Sequence, residues 1–101
     1  MTTIGTQFNK AILEKTASSL KAIAHPIRLA MIDLLKDGRR MNVTQIYMAL
    51  DLEQAVASQH LSILKERGIL ASKRQGKHSY YYIRHAAISE VIGLVMDVIE
   101  D

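Results

Sequence analysis

Apolar residues recur at near-helical spacing over residues 9–24, where Ile12, Leu13, Ala17, Leu20 and Ile23 line one side of a predicted first helix. Pro26 ends it, because a proline drives the preceding residue, His25, out of the helical region. The same proline suits the first turn of a second helix. There Ile27, Leu29, Ala30, Met31, Ile32, Leu34 and Leu35 wrap most of the circumference, so this helix is predicted to be central to the core, with Gly38 placed to cap its end. Val43, Ile46, Tyr47 and Leu50 suggest a short third helix, capped by Asn42 or Thr44. A fourth, over residues 54–67, turns Val56, Leu61 and Leu64 inward and leaves Gln54, Ala55, Ser58, Gln59, Ser62 and Lys65 largely outward before Gly68 stops it. Two short helices joined through Asp51-Leu52-Glu53 make a helix-turn-helix candidate.

The period then changes. Residues 69–74 and 78–84 are rich in β-formers and flank Gln75-Gly76-Lys77, a glycine-containing hairpin turn that would form a wing beside the fourth helix. Alternation along the second strand sends Tyr81 and Ile83 toward the core and Tyr80 and Tyr82 outward. In the last segment, residues 86–99, the positions Ile88, Val91, Ile92, Val95, Met96 and Ile99 form one helical face, with Gly93, Leu94 and Val98 on another side. A terminal helix this apolar would expose a sizeable patch on a monomer, so a partner surface is implied, and a second copy of the chain is the economical occupant. The interface set is then Ile12, Leu13 and Leu20 from the first helix with Ile88, Val91, Ile92, Leu94, Val95, Val98 and Ile99 from the last. The expected fold class is α+β: mainly helical with one β-hairpin, in the order of four helices, two strands and a final helix.

Composition narrows the chemistry. At 101 residues, 49% hydrophobic and 23% charged, the chain has the size of one globular domain over residues 1–101. Without a single cysteine it has no thiol catalysis, no thiol redox sensing and no thiolate metal site. The first residues show no charged leader followed by an apolar stretch, and no run approaches about 18 apolar residues, so a cytoplasmic protein without a membrane span is expected. An enzyme is disfavoured by inventory: there is no nucleophile with an evident base, no glycine-rich phosphate loop and no carboxylate pair in a pocket-forming context.

The net charge of +3 is unevenly spread. Between Lys65 and Arg84 lie Lys65, Arg67, Lys73, Arg74, Lys77 and Arg84 against one acid, Glu66, whereas residues 85–101 carry four acids and no Lys or Arg. A basic stretch beside an acidic tail is a footprint of polyanion binding, although charged surface also simply keeps a protein dissolved.

Particular residues within these elements carry a resemblance. The segment Leu20-Lys21-Ala22-Ile23-Ala24-His25-Pro26-Ile27-Arg28-Leu29 resembles the opening signature of the ArsR family of bacterial winged helix-turn-helix regulators. Ala57-Ser58-Gln59-His60-Leu61-Ser62-Ile63-Leu64-Lys65-Glu66-Arg67-Gly68-Ile69-Leu70 resembles its recognition helix and the entry to its wing, and Gly76 through Ile83 resembles the wing return. The resemblance spans nearly the whole chain and implies a dimeric, DNA-binding transcriptional regulator, most often a repressor released by an inducer.

The side chains agree with that implication. Glutamine can pair bidentately with adenine in the major groove, and serine can donate or accept, so Gln54, Ser58 and Gln59 are the expected base readers, with Ala55 against a thymine methyl group. Ser62 and Lys65 lie further along and are expected at the phosphate backbone, as are Arg39 and Arg40 before the third helix. Lys73, Arg74, Lys77 and His78 would set cations beside the phosphates or the minor groove. His60 is open between a partly buried structural role and DNA contact. Arg28 is expected to be structural, paired with a neighbouring carboxylate.

Two departures stand out. Members that sense metals do so through cysteines in the third helix or an Asp/His and His/Glu set on the last. Here only His85 and the terminal acids could serve, a poor set for a metal that wants three or four ligands, so no metal and no cofactor are expected. The signal would then be competition with another DNA-binding protein, a small organic effector bound between helices, or the protein's own abundance. Glu53 opens the recognition helix where relatives often hold a capping serine or threonine, and glutamate is a weaker cap. Two other readings stay open: a winged-helix module for protein contacts without specific DNA binding, and a metal-responsive repressor using histidine and carboxylate ligands.

Overall fold

A computed structural model describes residues 8–100. Its elements run α1 (Lys10–Ile23), α2 (Pro26–Leu34), β1 (Met41–Asn42), α3 (Val43–Ala49), α4 (Gln54–Glu66), β2 (Leu70–Gln75), β3 (His78–Ile83) and α5 (Ala86–Glu100). The α+β order expected from the sequence holds, with one addition. The two-residue strand β1 pairs antiparallel with β3, Met41 opposite Tyr81 and Asn42 opposite Tyr80, so the sheet has three strands in the order β1-β3-β2. A two-residue strand has no periodicity to read. It matters because it ties the start of the helix-turn-helix to the wing.

Local chemistry sets the boundaries. The Asn9 side chain accepts from the Ile12 amide and starts α1. His25 stands in extended backbone before Pro26, and its Nδ1 accepts from the Ile27 amide at 3.1 Å. Asn42, rather than Thr44, caps α3 through a reciprocal box with Gln45, at 2.8 and 2.9 Å. α2 ends earlier than expected: Leu35 is its last half-helical residue, and Gly38 belongs to the turn beyond it rather than to the cap.

The turn between α3 and α4 is built by Asp51 in left-handed backbone, φ 53°. The Leu52 amide bonds the Tyr47 carbonyl at 2.9 Å and the Asp51 amide bonds the Met48 carbonyl at 3.3 Å, which closes α3 in a Schellman motif. Gly68, φ 74°, closes α4 the same way. In the wing Gln75 pairs with His78, leaving the two-residue turn Gly76-Lys77 with a positive φ only at glycine, the pattern of a II′ hairpin.

The core gathers around α2. Met31, Ile32 and Leu35 meet Ile46 from α3, Ala57, Leu61 and Leu64 from α4, Ile69 and Leu70 at the wing entry, Ala22 and Ile23 from α1, and Ile92 from α5. Tyr81 and Ile83 pack against this cluster as the strand alternation requires. On α4 the inward residue is Ala57, fully buried, while Val56 is only half-buried. A methyl group gives little hydrophobic signal in a sequence, which is why the larger valine misleads.

Within the interface set expected on the last helix, Ile92 is buried and Ile88, together with Met96, packs against the chain's own core. Val91, Leu94, Val95, Val98 and Ile99 remain exposed. Among the described residues no helix is long and apolar enough to cross a membrane.

Candidate nucleic-acid interface

The outward stripe of α4 begins at its first residue. Gln54, Ala55, Gln59, Ser62 and Lys65 are exposed, and Ser58 is half-buried at the edge of the stripe. Nothing acidic lies between Gln54 and Lys65. Glu53, the N-cap, makes no side-chain capping bond, and it immediately precedes Gln54 and Ala55. Buried Ala57, Leu61 and Leu64 fix the opposite side of the helix and thereby the direction in which the glutamines point.

Beside this stripe, the wing presents Lys73, Arg74, Lys77 and His78, all exposed, with no acid from Leu70 to Ile83. The inner end of the wing is braced. Arg40 lies over the Tyr82 ring at 4.5 Å from its centroid, a cation–π contact that extends the β1–β3 pairing by one step. Arg39 and Arg40 are exposed, so both remain at the surface between α2 and the sheet.

Behind the recognition helix lies a polar cluster that the sequence only partly revealed. Among the described residues Arg28 pairs with no carboxylate. Its Nε donates to His60 Nδ1 at 3.2 Å and its Nη1 to the Ala22 carbonyl at 2.7 Å. The His60 ring also sits 4.6 Å from that of His25. Of the two roles left open for His60, this geometry supplies the structural one, joining the middle of α4 to the start of α2. The partners are 32 positions apart in the chain, beyond the reach of any local pattern.

Burial, the neighbouring His25 and the Arg28 guanidinium, in that order, hold the His60 pKa below its ordinary 6.5. The folded protein therefore binds a proton at His60 less readily than the unfolded chain. The stability this contributes is fully present above about 6.5 and is lost as pH falls through the folded value. We expect urea midpoints to drop on acidification from pH 7.5 to 5.5, and the His60→Asn variant, which keeps an acceptor without a titrating ring, to lose less over that interval. Identical slopes in both proteins would remove His60 from the cause.

A second surface is formed by α1 and α5. Ile12, Leu13 and Leu20 on α1 and Val91, Leu94, Val95, Val98 and Ile99 on α5 are exposed apolar side chains, Ile12 at 59% and Ile99 at 77%. Between the two helices runs a groove lined by Leu20, Ile23, Leu29, Val91, Val95 and Ile99 among others. Exposed aliphatic area of this extent on one side of a small chain marks an interaction surface.

Known proteins share both the sequence and the architecture. The family described as bacterial regulatory protein, arsR family, matches residues 25–72, from the start of α2 through the first residues of the wing. The transcriptional repressor PagR of Bacillus anthracis is 39% identical over 83 residues, 82% of this chain and 83% of that protein. Its crystal structure superposes with a TM-score of 0.78 at 37% identity, covering 86% of this chain and 99% of that one. An uncharacterized HTH-type transcriptional regulator of Methanocaldococcus jannaschii is 38% identical over 81% of this chain and 92% of its own length. The solution structure of a homodimeric winged helix-turn-helix DNA-binding domain from Mycobacterium bovis, a possible ArsR-family regulator, gives a TM-score of 0.81 at 30% identity, covering 99% of this chain and 91% of that one. A winged helix-turn-helix built from these residues in this order, with relatives of this closeness, places the chain in the ArsR family of bacterial transcriptional regulators.

Proposed function

We propose that this regulator acts as a repressor: a homodimer joined through α1 and α5 that places two copies of α4 in successive major grooves of a pseudo-palindromic operator. The observation that carries the reading is the pairing, on one chain, of an acid-free polar stripe on α4 flanked by a basic wing with a separate, unpartnered apolar face. A two-fold axis through that face would repeat the stripe at a spacing of about one helical turn of DNA or a small multiple of it. The M. bovis relative, described as a homodimeric DNA-binding domain, supports the same arrangement.

In this reading Gln54, Ala55, Ser58 and Gln59 read bases, while Ser62, Lys65, Arg39, Arg40 and the wing cations Lys73, Arg74, Lys77 and His78 hold phosphates. The role is binding rather than catalysis, and the cytoplasm, where the DNA lies, is the compartment this reading requires. Its signal is expected to use neither thiolate nor metal: cysteine is missing from the sequence, and His85 with the terminal acids is a poor ligand set.

Two substitutions separate base reading from charge. Gln59→Ala is expected to weaken specific binding by about 1–3 kcal/mol and to leave binding to random duplex nearly unchanged. Lys77→Ala is expected to weaken all sequences alike and to flatten the salt dependence by about one unit of log–log slope. Titration of both variants against operator and random DNA over a salt series checks the pair. Equal losses on both DNAs for Gln59→Ala would take that residue off the base edges, and an unchanged slope for Lys77→Ala would take the lysine off the phosphates.

A further inference from the structure

Lys21 on α1, Arg28 on α2 and Arg67 at the C-cap of α4 line, with Ser18, Ala22 and Ile63, one open cleft of about 240 Å³. No carboxylate lines it. None of the three cations forms a salt bridge among the described residues, where the ion pairs are Lys10 with Glu14 and Lys36 with Asp33. Convergence of three positive side chains raises their mutual repulsion, and ordinary surfaces relieve it by interspersing acids. This cleft does not.

Two of its three cationic donors are also held in place. Arg28 is fixed by the Ala22 carbonyl and His60 Nδ1, which leaves its second terminal nitrogen without an acceptor among the described residues. Arg67 donates through Nη1 to Ser18 Oγ, which ties the C-terminal end of α4 to α1 and sets the guanidinium at the cleft wall. A guanidinium already oriented by the protein loses little freedom on meeting an anion, and planar N–H pairs match the oxygens of phosphate or carboxylate. The cleft is smaller than the ~300–1,000 Å³ of pockets for drug-sized ligands, so it suits a compact group.

We propose that this cleft is a binding site for a small oxyanion carrying about two negative charges, of the phosphate or phosphate-monoester kind, held by Lys21, Arg28 and Arg67. The cleft takes only Ile63 from α4 and Arg67 just past its end, neither of them among the proposed DNA contacts, so the site is distinct from the operator contacts. It is nevertheless joined to them: Arg28 holds His60, and His60 is next to Gln59 on α4. An anion seated there lowers the positive potential around the recognition helix, which weakens DNA binding.

Inorganic phosphate is the first probe, titrated into the DNA-free protein at constant ionic strength and followed by backbone amide shifts. Saturable shifts at Ser18, Lys21, Ala22 and Arg67 are expected, with the apparent affinity reduced about tenfold or more in Arg67→Gln and in Lys21→Gln. Lys15→Gln, on the same helix but outside the cleft lining, is expected to bind phosphate as the parent does. Shifts that rise linearly without saturation, or that are equal in the parent and both cleft variants, would overturn the site. Glucose 6-phosphate, titrated in parallel, tells a free phosphate site from one that takes monoesters: equal or tighter binding assigns monoesters, and no binding restricts the cleft to the inorganic ion. Because no DNA is present, failure here leaves the operator reading untouched.

Discussion

Val95→Glu is expected to yield a folded monomer and to weaken binding to a two-half-site operator by two to four orders of magnitude. Val95 is 53% exposed in the isolated chain, so a carboxylate there meets water and the fold has no reason to fail. In the proposed dimer the same position lies in the middle of the apolar face of α5, flanked by Val91, Leu94, Val98 and Ile99. Two carboxylates brought together there would lose hydration without gaining a partner, at a cost of several kcal/mol. Once the dimer is lost, each half-site must be bound separately, and the advantage of linking two binding modules, about 10²–10⁴-fold, goes with it. Sedimentation velocity and operator titration measure the two parts independently. A dimer that survives the substitution would move the interface off α5.

The second large effect concerns the seat of the recognition helix. Leu61 is fully buried midway along α4, in one cluster with Met31, Ile32, Ile46 and Leu64. Leu61→Ala removes part of that contact and leaves a cavity that close-packed neighbours fill only in part, so a loss of about 2–5 kcal/mol is expected. Against a typical total of about 5–15 kcal/mol this is a large fraction, and the urea midpoint should fall with an unchanged slope at fixed protein concentration. Ser62→Ala, one residue along and exposed, should stay within about 0.5 kcal/mol of the parent. A Leu61→Ala loss no larger than that of Ser62→Ala would mean that α4 is not packed as described.

Most of the architecture could be read from the chain because its boundaries are written in strong local signals. Pro26 between two apolar periodic stretches, Asn42 before α3, Gly68 after α4 and Gly76 in the hairpin each fix a backbone state with few alternatives. The misses share a different cause. Strand β1 is two residues long, and its pairing with β3 is decided by tertiary contact rather than by pattern. Ala57 is buried because of where it sits, with a side chain too small to announce it.

Helix α5 shows the limit of periodicity most clearly. It is apolar on two sides, and spacing alone does not say which side meets its own core. The packing of Ile88, Ile92 and Met96 on the core settles that, and it leaves Val91, Leu94, Val95, Val98 and Ile99 outward. The placement of the candidate residues was legible where they are exposed side chains of a predicted element, as with Gln59 or Lys77. It was illegible where function depends on long-range partners. Arg28 with His60, Arg40 with Tyr82, and Arg67 with Ser18 join positions far apart in sequence, and nothing local foretells them.

The central claim, a sequence-specific dimer that needs no metal, is tested most directly by selecting bound duplexes from a random-sequence pool at near-physiological salt, with metal-free protein. Enrichment of an inverted repeat is expected, with half-sites about one helical turn, or a small multiple of it, apart. A folded dimer that enriches no sequence, or that enriches one only after metal is added, would contradict it.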